Sequence, residues 1–450
     1  MTGGEVHLLG VDVGSTTTSA LTATARLVRD PVEGRVRLHE EIVRHRLGPV
    51  LTPLHGDDLD LDAMAALLDG WLAAADLDPA EVFAGGALVT GLAARRANAA
   101  GLVRLIRQRI GDAVVATAGD PVLESWLAFA GSAAALSRAR PGVPILNLDV
   151  GGGTTNPAVG VDGDVLAAGC LHVGARHVLL RPGTTEVVGA SDLGRRLLDD
   201  ADGDLAAIVA RLTRALEDLV AGGEVDPALV DVPLRVPGGA EVVLSGGVGE
   251  LVYARAAGAA PGPPGQFGDL GGELAEAILA SDVLGARVRD LVPEHRGRAT
   301  VYGVALHATE VSGATVHVDP ARLPLRDLPV VARLGADPDP DRLAAAVQLV
   351  ARTERGGCVQ LAAGAADGLQ RVRELGARLA AALGELPAGH VLVVLLEEDA
   401  GTSLGGYATG WRNEGAGLVV LDQLVPRDAA FVTVGSARHG VVPVAFHGLR

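Results

Sequence analysis

The chain has 450 residues and a formal net charge of −17, and its 48% hydrophobic content includes only 2% aromatic residues, so an aliphatic core divided over two or three domains is expected. Its basic residues include no lysine, which excludes a P-loop, a protein-kinase strand lysine and Schiff-base chemistry, each of which needs an amine. The acidic balance argues against a nucleic-acid partner, and no apolar run reaches the roughly 20 residues of a membrane span, so we expect a soluble cytoplasmic protein with no membrane contact.

The first strong element is Leu8 to Thr18, an apolar strand ending in Asp12 and running into Gly14, Ser15, Thr16 and Thr17. Gly14 lets backbone N–H groups approach an anion, and the three hydroxyls add donors. Asp12, at the carboxyl end of the strand, suits a hydrated Mg²⁺ that is shared with phosphate oxygens. Taken alone, such a turn is more often structural. Strands are expected at Ala20 to Ala25 and Val36 to Arg46, then an amphipathic helix at Leu61 to Ala75 behind Asp60 and Asp62.

A short strand at Gly85 to Thr90 leads into one Ala- and Arg-rich helix, Gly91 to Arg109. The strand Ala113 to Ala116 is followed by Gly119-Asp120-Pro121 and a helix from Val122 to Arg138, rich in Ala and Gly. Small residues let helices cross closely, as a hinge between two lobes requires. Glu124, in the first turn of that helix, either orients a water or simply stabilises the helix dipole.

After the break at Pro141-Gly142 and Pro144, Ile145 to Asn156 repeats the first design: apolar strand, Asp149, then Gly151, Gly152, Gly153, Thr154 and Thr155. Two such turns can close on one nucleotide from opposite sides. Strands follow at Asn156 to Val161 and Val165 to Leu171. The stretch 184–242 reads as an inserted subdomain with an amphipathic helix at Leu205 to Leu219. A third element, Val242 to Glu250, places Ser245, Gly246, Gly247 and Gly249 where a strand turns into a helix, a setting for backbone packing against an adenosine.

Gly258 to Gly272 reads as a loop, and Arg298 to Gly313 as a second small-residue crossing helix. Prolines from Pro320 to Pro340 mark entry into a third region with helices at Leu343 to Ala351 and Leu369 to Leu383. Its strands are expected at Val391 to Leu396, Leu418 to Leu421 and Val432 to Val434, and Gly401 to Gly417 reads as a loop. The two cysteines, Cys170 and Cys358, are far apart and read as reduced. Cys170, His172 and His177 lie close in sequence but lack a fourth ligand at finger-like spacing, so a plain strand is the favoured reading.

The order of the three glycine motifs resembles the actin, Hsp70 and sugar-kinase ATPase superfamily, with Asp12 to Thr17, Asp149 to Thr155 and Leu244 to Gly249 at its phosphate-1, phosphate-2 and adenosine positions. Within it the chain is similar to the ethanolamine ammonia-lyase reactivating factors. That likeness rests on Val89-Thr90-Gly91 with Ala94-Arg95-Arg96 and Asn98-Ala99, Ala116 to Gly119 leading to Leu123-Glu124-Ser125, Asn147 to Asn156, Cys170-Leu171, Thr309 to Gly313 and Val441 to Val444. Leu92, Ala97, His172 and Ala175 depart from the family pattern.

The resemblance implies an α/β, actin-like (ribonuclease H-like) two-lobed ATPase fold with a nucleotide cleft between the lobes and a C-terminal α/β region. The lobes would be 1–141 and 142–313, and the C-terminal region 314–450. It implies ATP and Mg²⁺ as cofactors, with Asp12 and Asp149 contacting the metal and Asp12, Asp149 and Glu124 as the catalytic set; with no lysine to balance charge, turnover is expected to be slow and strongly Mg²⁺-dependent. The implied partner is an adenosylcobalamin-dependent ethanolamine ammonia-lyase, which would hold the cobalamin; the factor would act as a reactivating chaperone. A small-molecule kinase of the same fold, or a nucleotide-binding scaffold without turnover, are the competing readings. Homo-oligomerisation and association with a bacterial microcompartment stay open.

Overall fold

The computed structural model of the chain describes residues 4–30, 35–55, 58–110, 115–313, 315–412 and 417–449. Strand Glu5–Val13 lies at the centre of a five-stranded sheet, antiparallel to Thr17–Arg29 and parallel to Val82–Val89. Val36–Leu51 and Val115–Ala118 form the two edges. Both faces of the central strands are covered, which is why Leu8, Leu9, Val11 and Val13 are all buried and the run does not alternate with polar residues.

A second sheet repeats this plan. Ile145–Val150 is antiparallel to Thr155–Val161 and parallel to Glu241–Ser245, with Cys170–Leu171 and Val230–Val232 continuing beyond the hairpin. Asp12 pairs across its hairpin with Ser19 and Asp149 with Asn156, so each acid stands at the same register of its own copy. The helix Leu205–Ala221 turns Ile208, Leu212, Leu216 and Leu219 into the same apolar core as Leu146, Leu148 and Leu244, so the insertion is packed into the second lobe. Two lobes of this topology, each offering a glycine turn, make an actin-like fold.

A third, seven-stranded sheet has Leu325–Leu334, Gly356–Leu361, Val391–Leu395 and Leu418–Leu421 parallel in that order, and Ala429–Val434, Pro443–Leu449 and Glu310–Val311 antiparallel beyond the first of them. It is tied to the first lobe. Arg107 Nη1 lies 2.7 Å from Asp327, and the Gly448 N–H donates to Asp120 at 2.5 Å.

Several expected elements differ. The helix expected over Gly91 to Arg109 is interrupted into Gly91–Ala94 and Ala99–Arg109, because Asn98 turns aside to bond both backbone groups of Leu59 at 3.1 and 2.7 Å. The helix expected over Val122 to Arg138 runs as Pro121–Ala128, a wider turn at Phe129–Ala133, then Ala134–Arg138. The second crossing helix stops at His307, and Glu310–Val311 is a strand. The loop expected from Gly401 begins as the helix Gly401–Thr409, while 413–416 lie outside the described residues. Of the strand expected at Ala113 to Ala116, positions 113 and 114 lie outside them as well, and the strand described is Val115–Ala118.

Candidate functional site

Each of the two hairpins closes with the same bond: Gly14 N–H donates to the Thr17 carbonyl at 2.9 Å, and Gly151 N–H to the Thr154 carbonyl at 2.9 Å. The turns therefore project from the carboxyl ends of two equivalent strands, one per lobe. They meet. A Cβ on Gly152 would lie 2.5 Å from Thr16 Oγ1, and one on Gly153 would lie 2.6 Å from Leu92 Cγ. Leu92 is itself held to the first turn, its N–H donating to Ser15 Oγ at 2.7 Å.

Behind the turns stand three carboxylates from three elements. Asp149 is only 5% exposed and accepts from Ser245 Oγ at 2.5 Å. Burial pushes its pKa up to about 6, opposed by the hydroxyls of Ser245 and Thr300. Asp12 accepts from Thr90 Oγ1 at 3.2 Å. Burial, reinforced by the Asp149 charge, pushes it up to about 7. Glu124 is held well above the usual carboxylate range by burial and by Asp12 and Asp149, against hydrogen bonds from the Gly91 backbone and Asn156. Like charges gathered out of water disfavour ionisation, and a divalent cation among them removes that penalty.

The fold thus brings together Asp12, Asp149 and Glu124, the turn Gly14, Ser15, Thr16 and Thr17, and the turn Gly151, Gly152, Gly153, Thr154 and Thr155. Ser245 is fully buried, its hydroxyl between Asn147 Nδ2 at 3.0 Å and Asp149, so it orients the acid. Gly246 begins the helix Gly246–Ala256 at φ 80°, hard against the Val150 carbonyl, and Gly247 has open space where a Cβ would point. Gly249 packs on Leu244.

Among the described residues no group of three or more His, Cys, Asp or Glu side chains is arranged to hold a metal by itself. A Mg²⁺ that keeps most of its waters and takes phosphate oxygens needs only one or two carboxylates, and the Asp12–Asp149 pair fits that requirement. Cys170, His172 and His177 diverge: His172 faces Arg95 at 3.3 Å, and His177 Nδ1 lies 2.9 Å from Ser191 Oγ.

Sequence reasoning missed four contributors. Thr90 and Thr300 bond the two aspartates, Asn156 bonds Glu124, and Thr52 ties the first turn, donating its N–H to the Thr16 carbonyl at 3.0 Å and its hydroxyl to Gly14 O at 2.7 Å. Thr90 and Asn156 lie inside motifs that carry the resemblance, which was the available signal. Arg176 was missed too. Its N–H donates to the Gly152 carbonyl at 2.6 Å, its stem packs over Gly152, and its guanidinium stands 4.0 Å from buried Asp269. That places a cation beside the second turn in a chain without lysine.

The chain is similar to known proteins over nearly its whole length. The family model described as ethanolamine utilisation protein EutA matches residues 4–449. The ethanolamine ammonia-lyase reactivase EutA of Salmonella typhimurium is 30% identical over 98% of this chain and 97% of that protein. Its Escherichia coli counterpart is 29% identical with the same coverage. Among solved structures, the ethanolamine utilization protein EutJ from Carboxydothermus hydrogenoformans aligns with 67% of this chain and 89% of that one, at 15% identity and a TM-score of 0.33. No helix among the described residues is long and apolar enough to cross a membrane.

Proposed function

Because the chain belongs to the EutA family of ethanolamine utilisation proteins, we propose that it is an ATP-dependent reactivating factor for an adenosylcobalamin-dependent ethanolamine ammonia-lyase. One observation carries the ATPase part of this reading: two copies of the same acid-and-glycine hairpin, one per lobe, meet turn to turn with Asp12 and Asp149 behind them.

In this reading the backbone amides of both turns clamp the β- and γ-phosphates, and Asp12 holds the hydrated metal. Bound Mg²⁺ neutralises charge on the phosphates and aligns the displacement. Asp149, fixed by Ser245 and Thr300, orients the attacking water. Glu124, on the crossing helix, accepts or relays its proton and so links turnover to the hinge. Arg176 supplies the positive charge that a lysine supplies elsewhere. Because the turns touch in this structure, nucleotide entry requires the lobes to part, and that motion is the work delivered to the lyase. The consequence for the partner is release of damaged cobalamin and entry of intact coenzyme.

The test measures Mg²⁺-dependent ATP hydrolysis and recovery of deamination by cobalamin-inactivated lyase, comparing wild type with Asp12→Ala and Asp149→Ala. Recovery with ATP, abolished by both substitutions, supports the proposal. Hydrolysis without recovery means that the partner is wrong, and no binding of ATP at all means that the cleft is a relic.

A further inference from the structure

The second glycine turn is held on its carbonyl side by the segment 174–177. Ala175 N–H donates to the Gly151 carbonyl at 3.2 Å, and Arg176 N–H to the Gly152 carbonyl at 2.6 Å. Gly174 backs them so closely that a Cβ on it would stand 2.5 Å from Gly152 O and 2.6 Å from the Gly153 carbonyl carbon. In a trans peptide the C=O and the next N–H point in opposite directions. Each carbonyl held from behind therefore sends the following amide, first Gly152 and then Gly153, to the other side, as in a backbone nest for an anion. Among the described residues the N–H groups of Gly152, Gly153 and Thr154 donate to no other backbone group.

The third carbonyl of the run, that of Gly153, is met by a side chain. His177 is only 2% exposed. Its ring lies within reach of the Gly153 and His172 carbonyls, while burial pushes its pKa down to about 4 and keeps it neutral near pH 7. One ring nitrogen then carries the proton and the other does not. Nδ1 lies 2.9 Å from Ser191 Oγ, which accepts the Gly194 N–H at 3.0 Å as the cap of helix Asp192–Asp200. The serine proton is left for Nδ1, and this puts the ring proton on Nε2. A bare lone pair at Nε2 would instead face carbonyl oxygens. Nε2 is fully enclosed and, among the described residues, has no well-formed hydrogen bond. A buried donor in that state costs free energy until an acceptor reaches it. The ring's own backbone is fixed, since Ser191 N–H donates to the His177 carbonyl at 2.9 Å.

We propose, on the nucleotide reading above, that His177 is a positioning residue for the phosphates: its Nε2–H takes the Gly153 carbonyl when nucleotide fills the turn, and so aims the Thr154 N–H beside those of Gly152 and Gly153. It touches no reacting atom. Ala175 and Arg176 hold their carbonyls through the main chain, which a substitution leaves in place. His177 acts through its side chain, and this contact can be removed. Ser191 grips the ring from the far side and thereby links the turn to helix Asp192–Asp200.

The test has two arms, both on the full chain. Two-bond ¹H–¹⁵N spectra of the nucleotide-free wild type, with the His177 signal assigned by its loss in His177→Gln, should show the Nε2–H tautomer; the Nδ1–H tautomer overturns the inference whatever nucleotides do. The second arm displaces a fluorescent ATP analogue with ATP or AMP in the presence of Mg²⁺. His177→Asn, whose amide reaches no farther than Nδ1, should weaken ATP about three- to tenfold, the worth of one hydrogen bond between uncharged groups, and leave AMP unchanged. His177→Gln, whose amide nitrogen reaches where Nε2 stands, should keep most of the affinity for ATP. Equal losses for ATP and AMP, or equal losses in the two variants, mean that the ring only packs, and overturn the inference. Tight ATP binding by wild type that His177→Asn leaves intact overturns it alone, whereas no ATP binding by wild type removes the nucleotide reading and the inference with it.

Discussion

A Cβ on Gly131 would lie 2.5 Å from the backbone nitrogen of Gly303 and 2.1 Å from the Ala299 carbonyl oxygen, and one on Gly303 would lie 2.0 Å from the Leu127 carbonyl oxygen. The two helices that join the lobes therefore cross backbone on backbone. Gly303→Ala forces them apart, and overpacking at such a contact costs about 1–3 kcal/mol. Urea unfolding should show a lower midpoint with an unchanged slope. Gly272→Ala, in the helix Gly271–Ala280 with open space around it, is the control and should be neutral or slightly stabilising. Equal midpoints for Gly303→Ala and wild type would mean that the crossing tolerates a side chain and is not the tight contact described.

The raised pKa values of Asp12 and Asp149, about 7 and about 6, set a pH dependence for the ligand-free protein. An acid whose folded pKa exceeds its unfolded value near 3.8 binds its proton more tightly when folded. Its stabilising contribution is complete below the unfolded pKa and is lost as pH rises through the folded one. Asp12→Asn should then stabilise the apo protein at pH 8 by at least about 1 kcal/mol, since a tenfold change in proton affinity corresponds to about 1.4 kcal/mol. The gain should shrink steadily toward pH 4. Denaturation at pH 8 and pH 5 reads it directly; a constant difference between variant and wild type at both pH values contradicts the assignment.

Ser245→Ala probes the same acid pair without touching the phosphate turns. The hydroxyl bond at 2.5 Å holds Asp149 below the value that burial alone would give. Its removal should shift the acid limb of the pH–rate profile of ATP hydrolysis to higher pH and leave the alkaline limb in place. A uniform drop in rate at every pH would mean that Ser245 acts only in packing.

The cleft residues were legible in the sequence because each turn is local: strand, acid, glycines and hydroxyls lie within a dozen residues, and the second copy identifies the first. What was not legible depends on distant chain. Nothing near Asn98 announces that Leu59 will interrupt its helix. The helix Gly401–Thr409 reads as a loop by glycine content, yet Gly405 lies against the His317 ring and Gly406 under Trp411, where any side chain would collide. Close packing overrides a propensity cost of about 1 kcal/mol per glycine. The contact between Thr315 and buried Asp422 was invisible for the same reason, since the two are more than a hundred positions apart.

Arg95 Nη2 of the first lobe stands 3.4 Å from Asp231 on the edge strand of the second lobe, with His172 beside it. Both partners are well exposed, at 51% and 38%, so the pair contributes no more than about 1 kcal/mol to stability. Its position matters more than its strength, because it spans the same opening that Leu92 and Gly153 close. Asp231→Asn should leave unfolding almost unchanged while speeding dissociation of a fluorescent ATP analogue about two- to fivefold, the factor that up to about 1 kcal/mol allows. Salt screens exposed pairs, so added salt should accelerate release from wild type and have less effect on the variant. If release rates and their salt dependence are the same in both proteins, the lobes part without breaking this contact, and resistance to opening lies with the turn contacts of Leu92 and Thr16 alone.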